Sequence, residues 1–384
     1  MMLFLLVQKV IFLIGCQKKS SQQILRLNMK QIFQIMLILI SSCSLALSQD
    51  KISIETNPPK ILIEAGETNK YLNCDFLVRN NSDDTLELSK IIVTVFDQNN
   101  KILHQRFLDN NGTAPSIFTI PDRIFNGKSS ILIFNPFTEF NKGLDLKKIE
   151  FEFTFSNDLL DDIIFKKTIH PETYIQEEIF TFPLNGTVLN YDGHDFFAHH
   201  RRFNYEFEPI KQLGLSTNFM RYAYDFVLLD KENRKYTGDG ASELDYYGFN
   251  KDVYAAGNGK VVYASNDHKD DKSFDVTKLK KNPLELYGNC IGIQHKNGAI
   301  SIYGHLKQNS LMVKMGDSVV SGQKIAAIGV SGSSFFPHLH FEVRTSITNA
   351  AEGLPSYFSN IYALESNMKI KSGFVETGSI VLTK

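Results

Sequence analysis

"SSFFPHLHFEVR", residues 333–344, sets two histidines one residue apart in an alternating apolar run. In a β-strand the side chains at i and i+2 share a face, so His338 and His340 point one way and Leu339 the other. Two imidazoles on one face make a bidentate pair. The bland alternative is a strand that carries two satisfied histidines.

The composition is that of a globular chain, with 43% hydrophobic and 22% charged residues over 384 positions, enough for two domains. Lys and Arg number 41 against 42 Asp and Glu, so no net field favours nucleic acid or an acidic substrate. Function must be read from sites. Thirty Phe and no Trp fit a β-rich core.

Residues 50–170 read as short strands separated by turn signals such as "NNSDD" and "DNNGT". In "KIEFEFTFS", Ile149, Phe151, Phe153 and Phe155 alternate with Glu150, Glu152 and Thr154, the period of a strand with one wet face. "YLNCDFLV" turns Leu72, Cys74, Phe76 and Val78 inward, and "IIVTVFDQNNKILHQRF" predicts a hairpin turning at Asn99 and Asn100. The expectation is an immunoglobulin-like β-sandwich acting as spacer or binding module, with His104 structural. Residues 171–185, with two prolines nearby and a closing Asn-Gly, form the expected linker, and 186–384 a second domain.

Eight of the ten histidines lie in that second half, at His194, His199, His200, His268, His295, His305 and the H-x-H pair. Catalytic zinc takes three protein ligands and keeps a fourth position open. H-x-H supplies at most two. Asp225, in the apolar run "RYAYDFVLLD", is a candidate third, because an unpaired carboxylate there is costly to bury. The alternative is a salt bridge from Asp225 to Arg221 or Arg344.

"FNKDVYAAGNGKVVYAS", "YGNCIGIQHKNGAISIYGHL" and "VKMGDSVVSGQKIAAIGVSGSSFFPHLHFEVR", in that order and spacing, resemble the lysostaphin-type zinc metallopeptidases, or LytM-domain family, over roughly residues 185–384. The resemblance implies an antiparallel β-sheet peptidase domain that acts on peptidoglycan peptides. It implies that Asp225 and His340 bind Zn2+, while His338 and His305 flank the attacking water. The family's H-x-x-x-D pattern is broken here, because Arg221 stands where its histidine would, and a guanidinium has no lone pair to give. "FFAHHRRFN" offers His200 as the displaced first ligand, with His199 and then His194 as alternatives.

Zinc so held would acidify water, and His338 or His305 would accept its proton and later protonate the leaving amine, the other bonding the oxyanion. Tyr191 and Tyr205 are candidate oxyanion donors. His295 reads as scaffold, and residues 266–283 as a charged surface loop with His268 solvated. Two non-enzymatic readings compete. One is a degenerate member that binds and activates another cell-wall hydrolase. The other is a lipoyl-type carrier, for which "VKMGDSVVSGQKIAAIG" offers half a barrel but no modifiable lysine turn.

"KQIFQIMLILISSCSLALS", residues 30–48, reads as an export signal cleaved after Ser48, with Met29 as the initiator. Its apolar core is shorter than the roughly 20 residues of a spanning helix. "LIGC" and "ISSC", ending at Cys16 and Cys43, offer a lipidated cysteine and hence a membrane anchor. The location expected is periplasm or cell surface. Cys74 and Cys290, the other two cysteines, read as buried free thiols.

Overall fold

A computed structural model describes residues 51–157 and 162–383. The expected export segment, with Met29, Cys16 and Cys43, lies outside the described residues. No helix among the described residues is long and apolar enough to cross a membrane.

The alternation in "KIEFEFTFS" is realised as a strand whose Ile149, Phe151, Phe153 and Phe155 are fully buried. The first half contributes β1 (Ile52–Asn57), β2 (Leu62–Ala65), β3 (Asn69–Leu72), β4 (Asp75–Asn80), β5 (Leu86–Phe96), β6 (Ile102–Asp109), β7 (Ile124–Phe125), β8 (Ser130–Phe134), β9 (Glu139–Asn141), β10 (Lys148–Ser156), β11 (Asp162–Ile169) and β12 (Glu172–Thr173). They form sheets of order β1-β4-β8, β11-β10-β5-β6 with β7 beside β5, and β12-β2-β3-β9. One apolar core joins the three. Phe76 of β4 packs 4.7 Å from Phe151 and 5.0 Å from Phe153 across it, the face-to-face packing of a sandwich. The β5–β6 hairpin turns where expected, with Asn100 at a φ of 62°. "YLNCDFLV" departs from expectation: Leu72, Cys74, Phe76 and Val78 are buried as read, but Asn73 and Asp75 are buried too, because the chain changes sheet at Asn73 and Cys74. Cys74 and Cys290 are buried free thiols.

The second half contributes β13 (Gly186–Asp192), β14 (Tyr224–Leu229), β15 (Asp252–Tyr254), β16 (Gly259–Ser265), β17 (Asn289–Gln294), β18 (Ile300–Leu306), β19 (Ser318–Val319), β20 (Lys324–Ala327), β21 (Leu339–Arg344), β22 (Gly353–Leu354), β23 (Ile361–Ala363) and β24 (Ile380–Thr383). Ten of them build one antiparallel sheet of order β19-β16-β17-β18-β21-β14-β13-β24-β23, with β22 on β21 and a separate β15–β20 pair. Leu339, Phe341 and Val343 of β21 enter its core. The segment 171–185 joins the halves as packed chain, because Phe180, Phe182 and Leu184 are buried in that same core. The described residues form one compact unit.

Candidate metal centre

Strands β18, β21, β14 and β13 are neighbours, and their register lines up Gly304, His340, Asp225 and Asp192 in one row. A bulge in β13 between Asn190 and Asp192 brings the last of these opposite Asp225. His338 stands just before β21, two residues from His340 and on its face. Strict alternation would turn His305 away from that face, since its neighbour Gly304 pairs with His340. A left-handed φ of 55° at His305 breaks the alternation. Its ring then lies 4.8 Å from that of His338 and 5.9 Å from that of His340. Backbone of this kind costs about 1–2 kcal/mol and persists where packing imposes it.

His200 arrives from the loop between β13 and β14. Its Nε2 lies 3.4 Å from Asp225 Oδ1, which also meets His338 Nε2 at 3.3 Å and His340 Nδ1 at 3.1 Å. Carbonyl oxygens only accept, so three tautomers follow from their partners. His200 Nδ1 donates to the Gly193 carbonyl at 3.2 Å, His338 Nδ1 to that of Phe336 at 2.8 Å, and His305 Nδ1 to that of Ser331 at 2.8 Å. Each of these rings, when neutral, therefore keeps its lone pair on Nε2. All five residues are buried.

Burial, chiefly, pushes His200 down to about 4, with the neighbouring imidazoles adding to it against Asp225 and Asp192. Burial and the imidazoles of His338 and His340 hold His305 well below its ordinary value. Burial works against the charge of His340 too, but its hydrogen bond to Asp225 and the nearby Glu342 carboxylate win and raise it to about 9. Asp225, despite burial, is held well below the carboxylate range by the surrounding histidines.

A neutral His200 thus aims a lone pair at a carboxylate oxygen, an acceptor facing an acceptor, which a cation between them relieves. Donors about 2.0–2.1 Å from a tetrahedral zinc stand about 3.3 Å apart, the spacing seen around Asp225 Oδ1. The donor set therefore fits zinc.

A second cluster of possible donors shares two of these residues: Asp192, His199, His200 and Asp225 lie within 4.8 Å of one another. Asp192 Oδ2 is 2.7 Å from His199 Nδ1 and 3.1 Å from His200 Nδ1, without hydrogen-bond alignment to either. The Gly193 carbonyl requires a proton on His200 Nδ1, so that nitrogen cannot also give a lone pair beside Asp192.

Several expectations are corrected. His194 is buried away from the centre, with Nε2 3.1 Å from Glu64 of the sandwich and Nδ1 3.4 Å from the Ala223 carbonyl. Arg221 and Arg344 do not pair with Asp225 but with Asp75 and Glu342. Tyr205 is buried beside the charges of Asp75, Arg221 and Glu352, so it is no oxyanion donor. Tyr191 sits on the rim, its ring 5.0 Å from Phe336, which in turn lies 5.2 Å from His338. His268 is half-buried rather than solvated, 3.6 Å from Glu285. The loop carrying it is anchored, since Asp270 accepts from the amides of Gln308 and Val330 at 2.9 and 2.8 Å. His295 is scaffold as expected, bonded to the Asn258 carbonyl and Ser301 Oγ, each at 2.9 Å.

Sequence reasoning missed Glu342 and Tyr287. Glu342 Oε2 is 3.6 Å from His340 Nε2, and Tyr287 stacks on His340 at 4.5 Å. The signal was present, since "HLHFEVR" places Glu342 and Arg344 on the same face as the histidines. A cleft of about 600 Å³ lies at the other end of β14, lined by Gly186, Leu228 and Asp230, and holds none of this chemistry.

Residues 244–352 match the peptidase family M23. That span holds His305, His338 and His340 but begins after His200 and Asp225. Over 92 residues the chain is 36% identical to lipoprotein NlpD of Yersinia enterocolitica, covering 24% of this chain and 75% of that protein. An equal identity over 92 residues relates it to the murein hydrolase activator NlpD of Escherichia coli, covering 24% of this chain and 19% of that one. The peptidoglycan DD-endopeptidase ShyB of Vibrio cholerae is 38% identical over 91 residues, covering 24% of this chain and 17% of ShyB. The chain thus spans less than a fifth of the last two relatives.

Proposed function

The chain belongs to peptidase family M23, and from that premise we propose that it is an exported zinc metalloendopeptidase that hydrolyses peptide bonds in peptidoglycan stems or cross-links. The observation that carries this reading is the convergence of His200 Nε2, His338 Nε2 and His340 Nδ1 on Asp225 Oδ1. His200, Asp225 and His340 are the residues assigned to hold zinc. Bound there, zinc supplies Lewis acidity, polarising a carbonyl and lowering the pKa of water toward about 7.

His305 and His338 are assigned the proton transfers. His305 is kept neutral by burial and has Nε2 free to accept, because the Ser331 carbonyl holds the proton on Nδ1. His338, oriented by the Phe336 carbonyl, turns its Nε2 into the same space. Between them they take a proton from the attacking water as its oxygen bonds the scissile carbon. They return it to the amine nitrogen as the C–N bond breaks. His340 is oriented by Glu342 rather than by a carbonyl, which suits a holding role.

Export rests on residues 30–48 and on the lipoprotein name of one relative, with lipidation at Cys16 or Cys43 as its anchored form. A second reading, a regulator that activates another hydrolase, is favoured by the displaced first ligand and by the activator among the relatives. One experiment separates the two. Purified protein is assayed for zinc by elemental mass spectrometry and incubated with peptidoglycan, and the products are read for new amino termini. Near one zinc per chain with cleavage supports the peptidase. Zinc-free protein that leaves peptidoglycan intact but stimulates a partner hydrolase supports the regulator.

A further inference from the structure

The β-sandwich touches the catalytic half at a buried carboxylate. Asp75, the first residue of β4, is fully buried. Its Oδ1 accepts from Arg201 Nη1, and its Oδ2 from Arg221 Nη1 at 2.5 Å. Arg201 follows His200 directly, and Arg221 stands four residues before Asp225. Arg201 also donates through Nε to Asn73 Oδ1 at 2.9 Å and through Nη2 to the Cys74 carbonyl at 2.7 Å. Its described side-chain partners all come from the three residues Asn73–Asp75.

Two donors assigned to zinc are thus flanked by arginines that share one carboxylate from outside the catalytic half. We propose that the sandwich is part of the metal site, with Asp75 a positioning residue that holds His200 and Asp225 in place through Arg201 and Arg221. The inference rests on the zinc reading above.

The backbone carries the coupling. Asn218 Nδ2 donates to the carbonyls of His200 and Arg201 at 3.0 and 3.2 Å, and the Arg221 amide donates to the Asn218 carbonyl at 3.2 Å. The loop bearing His200 and the entry to β14 are therefore tied to each other and jointly to Asp75. His200 lies in a loop with no ladder of its own, and sites on loops need such support to hold a ligand. Both guanidinium groups are fully buried, so without Asp75 Arg201 would lose its counter-ion, Arg221 would keep only Glu352 at 3.9 Å, and both would draw toward water. His200 would move with Arg201. The same arrangement accounts for the arginine standing where the family resemblance expects a histidine. Arg221 is committed to the sandwich, and the donor is supplied beside the other arginine on that carboxylate.

The test is Asp75→Asn in the full chain, read by zinc affinity in chelator competition, by the visible spectrum of the Co2+-loaded protein and by far-UV circular dichroism. The expected result is a folded protein whose zinc affinity falls by about 10–100-fold, with a shifted Co2+ spectrum. Asp75→Glu should recover part of both. Arg201→Lys keeps a charge opposite Asp75 but loses the fork that grips Asn73 and Cys74, so it is the milder variant should Asp75→Asn not fold. It too should weaken zinc binding. Unchanged affinity and spectrum in a folded variant, even with a lower melting temperature, would overturn the inference and leave the zinc reading standing. A wild-type chain that takes up no zinc sinks both.

Discussion

His340 and Glu342 share one face of β21, with Nε2 and Oε2 3.6 Å apart, and neither atom is hydrogen-bonded elsewhere. The other oxygen of Glu342 accepts from the Tyr287 hydroxyl at 3.0 Å and from Arg344. Burial opposes its charge, but Arg344 and His340 hold the Glu342 carboxyl below its ordinary value. An anion behind His340 fixes its Nε2 proton and makes Nδ1 the better donor. Glu342→Gln should weaken zinc affinity by about 10–100-fold while far-UV circular dichroism stays native, measured by chelator competition.

The two histidines of the H-x-H pair should separate by experiment. His338→Ala is expected to lower peptidoglycan cleavage by about 10²–10⁴-fold with zinc content unchanged. His340→Ala is expected to lose the metal as well. Because His338 Nε2 is as near Asp225 Oδ1 as the assigned ligands, zinc content is the deciding measurement. Equal zinc loss in both variants refutes the division of roles.

What was legible in the sequence was local. The alternation of Ile149 to Phe155 and the shared face of His338 and His340 follow from strand periodicity, which needs no knowledge of neighbours. The change of sheet at Asn73 and Cys74 was hidden because the apolar residues Leu72, Cys74, Phe76 and Val78 keep their alternate spacing through it, while the polar Asn73 and Asp75 between them look wet and are buried. Asp192 was invisible because only a bulge sets it opposite Asp225. Arg201 and Arg221 meet a carboxylate 126 and 146 residues away, a pairing that spacing cannot show. Glu342 was passed over, and its partner Arg344 was read against Asp225, because charges on alternate positions also describe a wet strand face, and this face is dry.

Chelation should destabilise the protein as well as silence it. A ligand bound only by the folded state adds RT ln(1 + [L]/Kd), about 2.7 kcal/mol at a hundredfold excess over Kd. Removing zinc should therefore lower the melting temperature, and zinc, but not magnesium, should restore it, given the imidazole-rich donor set. The chain has no Trp, so the melt is best followed by circular dichroism. A melting temperature indifferent to chelator counts against a resident metal.

Glu352 provides a test of the junction by pH. Burial raises its carboxyl from the ordinary 4.5 to about 7, with Asp75 adding to the shift and Arg221, 3.9 Å away, opposing it. The folded state therefore binds this proton more tightly than the unfolded chain. The group's stabilising contribution is complete below the unfolded value and is lost as pH rises through the folded one. Ionising it should cost about 2–4 kcal/mol at about pH 8. Glu352→Gln keeps the shape without the charge, so it should gain stability over wild type at about pH 8 and gain little at about pH 4. Urea midpoints at the two pH values measure this. A variant that is less stable at the higher pH would mean that the ion pair with Arg221 outweighs the burial of the carboxylate.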